Sequence, residues 1–192
     1  MNVSHQSTRH SRFVRALAVT AMLALGATAC SDGASGSSDS SSSAAPDAKK
    51  AKTALDAGLK AHASGDLTTA TTEYEKTLKY DAKNKFAFYN LALIDEASGN
   101  YGLAEQKYRS ALKTDPAYEP ALFNLAILRT SRDPEEAIGL YKKAVAANPK
   151  DAAAWLNLGL LLRAAGQERE GDKDVLRAIG LNPDLKDPKA AG

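Results

Sequence analysis

Reactive side chains are scarce in this chain, which has one cysteine, one tryptophan and three histidines in 192 residues, with aromatics at 6%. A lone cysteine, Cys30, excludes an internal disulfide. His5 and His10 fall in the first 29 residues, so only His62 stands in the body of the sequence. A Cys/His or His/Asp nucleophilic pair has nothing to be built from there. No glycine-rich phosphate loop, calcium loop or pair of histidines at metal-ligand spacing occurs, and the SGSS segments lack the lysine and helix that would make them phosphate loops. No catalytic residue, metal or cofactor is therefore expected. Charge is balanced too, with 25 basic and 23 acidic residues, so the electrostatic footprint of a nucleic-acid binder is missing.

Long apolar runs are equally scarce, with one exception. Arg9, Arg12 and Arg15 precede a charge-free stretch from Ala16 to Ala29 centred on ALAVTAMLAL. Basic-then-apolar order is that of a secretory signal peptide, and the run is short of the roughly 20 residues that span a bilayer. Gly26-Ala27-Thr28-Ala29 before Cys30 resembles the lipobox of bacterial lipoproteins, although Ala27 stands where that family usually has leucine. The resemblance implies cleavage before Cys30, a lipid on its sulfur, and anchorage to the outer side of the cytoplasmic membrane. Ala27-Thr28-Ala29 equally fits ordinary secretory cleavage, which would release a soluble exported protein. Without residues 1–29, 22 basic and 23 acidic residues remain.

From Ser31 to Asp47 the chain reads SDGASGSSDSSSSAAPD, with no bulky apolar side chain to offset the entropy of ordering. Residues 30–47 are therefore expected to be a disordered tether, holding the folded domain roughly 20–25 Å from its anchor.

The rest is periodic. Gly58, Ala92, Ala126 and Gly159 recur at intervals of 34, 34 and 33, and Tyr74, Tyr108, Tyr141 and Val175 at 34, 33 and 34. A third register, Ala82, Pro116, Pro149 and Pro183, has Asp or Asn before each member. Trp155, Leu158, Gly159 and Leu162, followed by Gly171, Val175, Ala178 and Pro183, resemble the tetratricopeptide repeat. Phe88, Leu91, Ala92, Tyr101, Ala104, Tyr108, Ala111 and Pro116 carry the same pattern. The resemblance implies an all-α, right-handed superhelical solenoid of four helix-turn-helix repeats, about eight helices. Its domain is placed at 48–185, with repeats 51–84, 85–118, 119–151 and 152–185 and a short tail 186–192.

Repeat 3 is one residue short, and Ser131-Arg132-Asp133-Pro134-Glu135-Glu136 replaces the glycine turns Gly65-Asp66, Gly99-Asn100 and Gly166-Gln167. Asp133 as N-cap, Pro134 at the first helical position and Glu136 three residues past the cap predict a well-formed helix start. Glu168, Asp172 and Asp174 make the last helix more polar, as the outer face of a terminal repeat requires. Few residues follow Pro183, and an open end would permit a homo-oligomer.

At 100° per residue, Phe88, Leu91, Ala92 and Asp95 share a stripe facing the second helix of their repeat, and Asn90 lies on the opposite side. Asn124 and Asn157 repeat that geometry. In the family the neighbouring positions line the concave groove, and here they are Leu55 and Leu59, Tyr89 and Leu93, Phe123 and Ile127, Leu156 and Leu160. Two readings stay open: these side chains pack between adjacent first helices, or they form an apolar groove for a segment of another protein whose backbone the asparagines bind. The cations of a carboxylate clamp are missing, leaving Arg163 as the basic residue near the groove able to meet an acid. Asp95 and Arg129 are placed to pair across adjacent repeats, and His62 is expected to be exposed. The implied function is a noncatalytic protein-binding scaffold outside the cytoplasmic membrane, with a self-associating structural subunit or a soluble secreted protein as alternatives.

Overall fold

The computed structural model describes residues 44–187. Cys30, the signal-peptide reading and most of the tether lie outside the described residues. Eight helices follow one another: α1 (Ala44–Ala63), α2 (Leu67–Tyr80), α3 (Lys85–Ala97), α4 (Tyr101–Thr114), α5 (Glu119–Arg129), α6 (Pro134–Ala147), α7 (Ala152–Ala164) and α8 (Glu168–Leu181). No strand occurs among the described residues, and no helix there is long and apolar enough to cross a membrane. The substantial contacts all join helices adjacent in sequence, which makes the fold a solenoid of four antiparallel pairs.

Each pair closes on small residues. Ala70, Ala104 and Ala137 on the second helices are fully buried. In repeat 4 both partners are glycine, so the α7 and α8 backbones touch: a Cβ at Gly171 would lie 2.5 Å from the Gly159 carbonyl oxygen. Gly58 leaves room for a ring, because a Cβ there would stand 2.7 Å from Tyr74.

The second helices bring the large side chains. Tyr74, Tyr108, Tyr141 and Val175 are at most 2% exposed, which accounts for the second register. The tyrosine hydroxyls do not go unpaired. Tyr108 donates to Glu96 at 2.8 Å, Tyr74 lies 3.3 Å from His62 Nδ1, and the Tyr141 hydroxyl lies close to Thr130. His62, Glu96 and Thr130 are each the twelfth residue of their repeat, so a hydroxyl latch recurs with changing chemistry. His62 is thereby partly buried and partnered, not free on the surface, and burial lowers its pKa.

Turns explain the third register. Asp81, Asp115, Asn148 and Asn182 each end a second helix, with the backbone N–H bonded back to Thr77, Ala111, Ala144 and Ala178. Their side chains then accept from the N–H two residues on, at 3.1, 3.0, 3.3 and 3.1 Å, an Asx turn made four times. Within repeats 1, 2 and 4, Gly65, Gly99 and Gly166 hold φ of 81°, 78° and 80°, closing the first helix in the left-handed conformation. Repeat 3 manages without one: Asp133 Oδ1 accepts from Glu136 N at 3.0 Å and Pro134 opens α6, as the sequence predicts.

Three expectations need correction. α1 begins at Ala44, inside the stretch read as tether, because Pro46 is tolerated in a first turn and Asp47 complements the helix N-terminus. Asp174 is 7% exposed rather than on the outer face, where Leu176 stands instead at 66% exposure. The C-terminal end is partly covered by the chain itself, since Leu185 joins a cluster containing Leu156, Val175, Ala178 and Ile179.

Candidate functional site

Along the first helices the groove residues divide into three groups. Leu59 is 43% exposed, whereas Leu156 is only 5% exposed and packs into the last repeat. Leu55, Tyr89, Leu93, Phe123, Ile127 and Leu160 are half-buried, touching core on one side and solvent on the other. Most of these side chains therefore pack against neighbouring helices and still present an apolar edge to solvent.

The asparagines are engaged within the chain. Asn90 Nδ2 donates to the Phe86 carbonyl of its own helix at 2.8 Å. Asn124 Nδ2 donates to Tyr89 Oη of the preceding repeat at 3.1 Å, tying the two repeats together, and Asn157 lies close to the Tyr141 hydroxyl of the preceding repeat.

An aromatic chain that sequence reasoning missed runs through repeat 2 up to its junction with repeat 3. Phe86 meets Tyr118 edge-on at 5.7 Å, Tyr118 meets Tyr89 at 5.4 Å, and Tyr89 meets Tyr108 at 5.9 Å. These separations suit the ring quadrupoles. Lys85 Nζ lies 5.1 Å from the Phe86 ring and 5.0 Å from the Tyr118 ring while pairing with Asp115 Oδ2 at 2.6 Å. Burial pushes the Tyr89 hydroxyl up to about 12, so it stays neutral near pH 7. Phe86, at the second position of its repeat where others carry Lys52, Pro120 and Ala153, remains 44% exposed. That departure was the available signal.

The anticipated Asp95–Arg129 pair does not form. Asp95 pairs with Lys107, and Arg129 reaches Glu105 at 3.4 Å and Asp133 at 3.2 Å. Arg129 Nε also stands 2.6 Å from Glu136 Oε2, an ionic contact without an aligned hydrogen bond. Second-helix partners are simply nearer than the equivalent position one repeat away. Arg163 does meet an acid, but of its own chain: its side chain, 9% exposed, binds Asp172 and Asp187.

At the junction of repeats 3 and 4, Asp151 caps α7 by accepting from Ala153 and Ala154 at 2.8 and 3.1 Å. Burial, with the Asp151 carboxylate close by, pushes Glu119 up to about 7. Among the described residues no cluster of His, Cys, Asp and Glu could hold a metal.

Helix pairs of this period, latched and turned in this way, match the tetratricopeptide repeat family over residues 49–119 and 127–171, more than half the chain. This chain is a tetratricopeptide repeat protein. Such repeats are scaffolds for contacts between proteins. The crystal structure of MamA is similar, at 21% identity and a TM-score of 0.62 over 77% of this chain and 85% of that one. PilF of Pseudomonas aeruginosa matches at 21% identity and a TM-score of 0.63, over 73% and 64%. A mutant O-GlcNAc transferase from Thermobaculum terrenum matches at 28% identity and a TM-score of 0.54, over 60% of this chain but only 22% of that protein. The MamA and PilF likenesses concern the fold. No curated protein sequence matches the chain.

Proposed function

We propose that this tetratricopeptide repeat protein is a noncatalytic binding module, exported and held by a lipid on Cys30, that receives a segment of another protein on its concave side. The observation that carries the reading is Phe86, a large aromatic left 44% exposed at the head of a ring chain that runs through half-buried Tyr118 and Tyr89 to fully buried Tyr108. Rigid aromatic anchors of this kind dominate protein interfaces at low entropic cost. Leu59 at 43% exposure and the half-buried edges of Leu93 and Ile127 add apolar surface on the first helices of repeats 1, 2 and 3. Small residues before Cys30, and a serine-rich segment after it, support display on a membrane surface.

A photo-crosslinking amino acid at position 86 of the full chain tests the groove. The expected result is a crosslink to one defined protein, lost when Tyr89→Asp is added and the helical circular dichroism is retained. Crosslinks unaffected by that change would sink the groove reading. For the anchor, metabolic labelling with palmitate should mark the chain and fail with Cys30→Ser. A second reading, a self-associating subunit, is favoured by Leu176, 66% exposed on α8. It predicts that the mass of the full chain in solution rises with concentration and that Leu176→Glu abolishes the rise.

A further inference from the structure

The fourth repeat departs from the latch of the other three. Where they place a tyrosine against the twelfth residue, it has Val175 and Arg163. Arg163 has no hydroxyl to meet, and its guanidinium turns elsewhere. Nε donates to Asp172 Oδ1 at 2.6 Å, while Nη1 and Nη2 donate to Asp187 Oδ1 and Oδ2 at 2.6 and 2.8 Å, a planar bidentate pair. Only 9% of the arginine side chain is exposed.

Asp187 arrives by an unusual route. After α2, α4 and α6 the Asx turn delivers the chain into a new helix. After α8 the same turn forms at Asn182, with Leu185 N bonded to Asn182 O at 3.1 Å, but residues 185–187 are not helical. They lay two side chains on the end of the solenoid: Leu185 joins the apolar cluster of Leu156, Val175, Ala178 and Ile179, and Asp187 takes Arg163. Lys186 between them is exposed.

The geometry points to a recognition site for a non-helical segment of a partner protein that carries an apolar residue two positions before a carboxylate. Leu185-Lys186-Asp187 occupies the site in cis as a removable strap. The arginine offers a carboxylate a bidentate, largely buried seat, and Asp172 keeps it oriented when the strap leaves. A bare tripeptide does not displace the strap, because a segment joined to its site through a short turn has an effective concentration in the millimolar range or above. A partner gains the site by bringing further contacts, or when the strap is weakened. The site sits at the far end of the solenoid from Phe86 and does not rest on the groove reading.

The test uses the full chain and a fluorescent hexapeptide with the sequence of residues 182–187. Wild-type protein is expected to bind it weakly, and Leu185→Ala/Asp187→Asn at least tenfold more tightly. Adding Arg163→Gln to that variant, or replacing the peptide's terminal aspartate by asparagine, should remove the gain. Asp187→Asn alone, which keeps Leu185 in its cluster, should improve binding at least threefold and serves if the double variant loses its helical circular dichroism. Equal peptide affinity in wild-type and folded strap variants, or a gain that survives Arg163→Gln, would overturn the proposal.

Discussion

Replacing Gly171 by alanine should loosen the last repeat, although alanine is the better helix former. The new Cβ would stand 2.5 Å from the Gly159 carbonyl oxygen, 2.9 Å from Arg163 N and 2.7 Å from Arg163 Cγ, where ordinary contact begins at 3.4 Å. Two of those atoms are backbone and cannot rotate away, so α7 and α8 must separate by roughly 1 Å, forfeiting part of the dispersion along their whole contact. Overpacking of this kind costs about 1–3 kcal/mol, the upper half applying where backbone atoms must move, and the helix propensity of alanine returns about 0.5–1 kcal/mol, for a net loss of about 1–2.5 kcal/mol. Gly139, in α6 with nothing within 4 Å of its would-be Cβ, supplies the control: Gly139→Ala should gain the propensity alone. Trp155, the single tryptophan, sits on α7 beneath Arg177 at 4.4 Å and reports on repeat 4. In urea, Gly171→Ala should lower the tryptophan-fluorescence midpoint by about 1 M and move the far-ultraviolet circular dichroism midpoint less, since a terminal repeat can open by itself. Gly139→Ala should raise the circular dichroism midpoint. Unchanged fluorescence midpoints in Gly171→Ala would mean that the helices do not approach as described.

The raised pKa of Glu119 makes stability depend on pH in an unusual direction. Glu119 ionises near 7 in the folded chain against 4.5 when free, so its contribution is complete below about pH 4.5 and is lost as pH rises through 7. Comparing urea midpoints at pH 5.5 and 8.5 should show a fall worth about 1–2 kcal/mol, after discounting for partial exposure, and Glu119→Gln should flatten it. Tyr108→Phe removes the 2.8 Å bond to Glu96 from a fully buried ring and should cost about 1 kcal/mol by the same denaturation assay. Phe86→Asp should leave that midpoint within about 0.5 kcal/mol, because the ring is 44% exposed, while abolishing partner crosslinking from a probe placed at Leu93.

Period alone made the helix pairs legible, because each register had one physical cause: small residues at the helix contact, tyrosines in the core, Asx turns at the exits. The asparagines show where such reasoning stops. A helical wheel treats one helix against one partner, so the side opposite the core stripe reads as solvent. In a solenoid that side also faces the preceding repeat, which is where Asn124 finds Tyr89 and Asn157 finds Tyr141. Periodicity alone pairs Asp95 with Arg129 as equivalent positions in successive repeats, yet first helices stand about 8–10 Å apart and nearer second-helix charges win. Leu156 and Arg163 depended on where residues 185–187 go, and no periodicity reaches that segment.

Because each helix leans chiefly on its neighbours in sequence, a pull between the two ends of the array loads its joints in series. Extension is then shared among small, separate yielding events instead of being resisted by one core, and each joint recloses without waiting for distant contacts. Contacts are dense within each helix pair, down to the glycine-to-glycine seam of α7 and α8, and sparser where one pair hands over to the next, so yielding is expected first at those hand-overs.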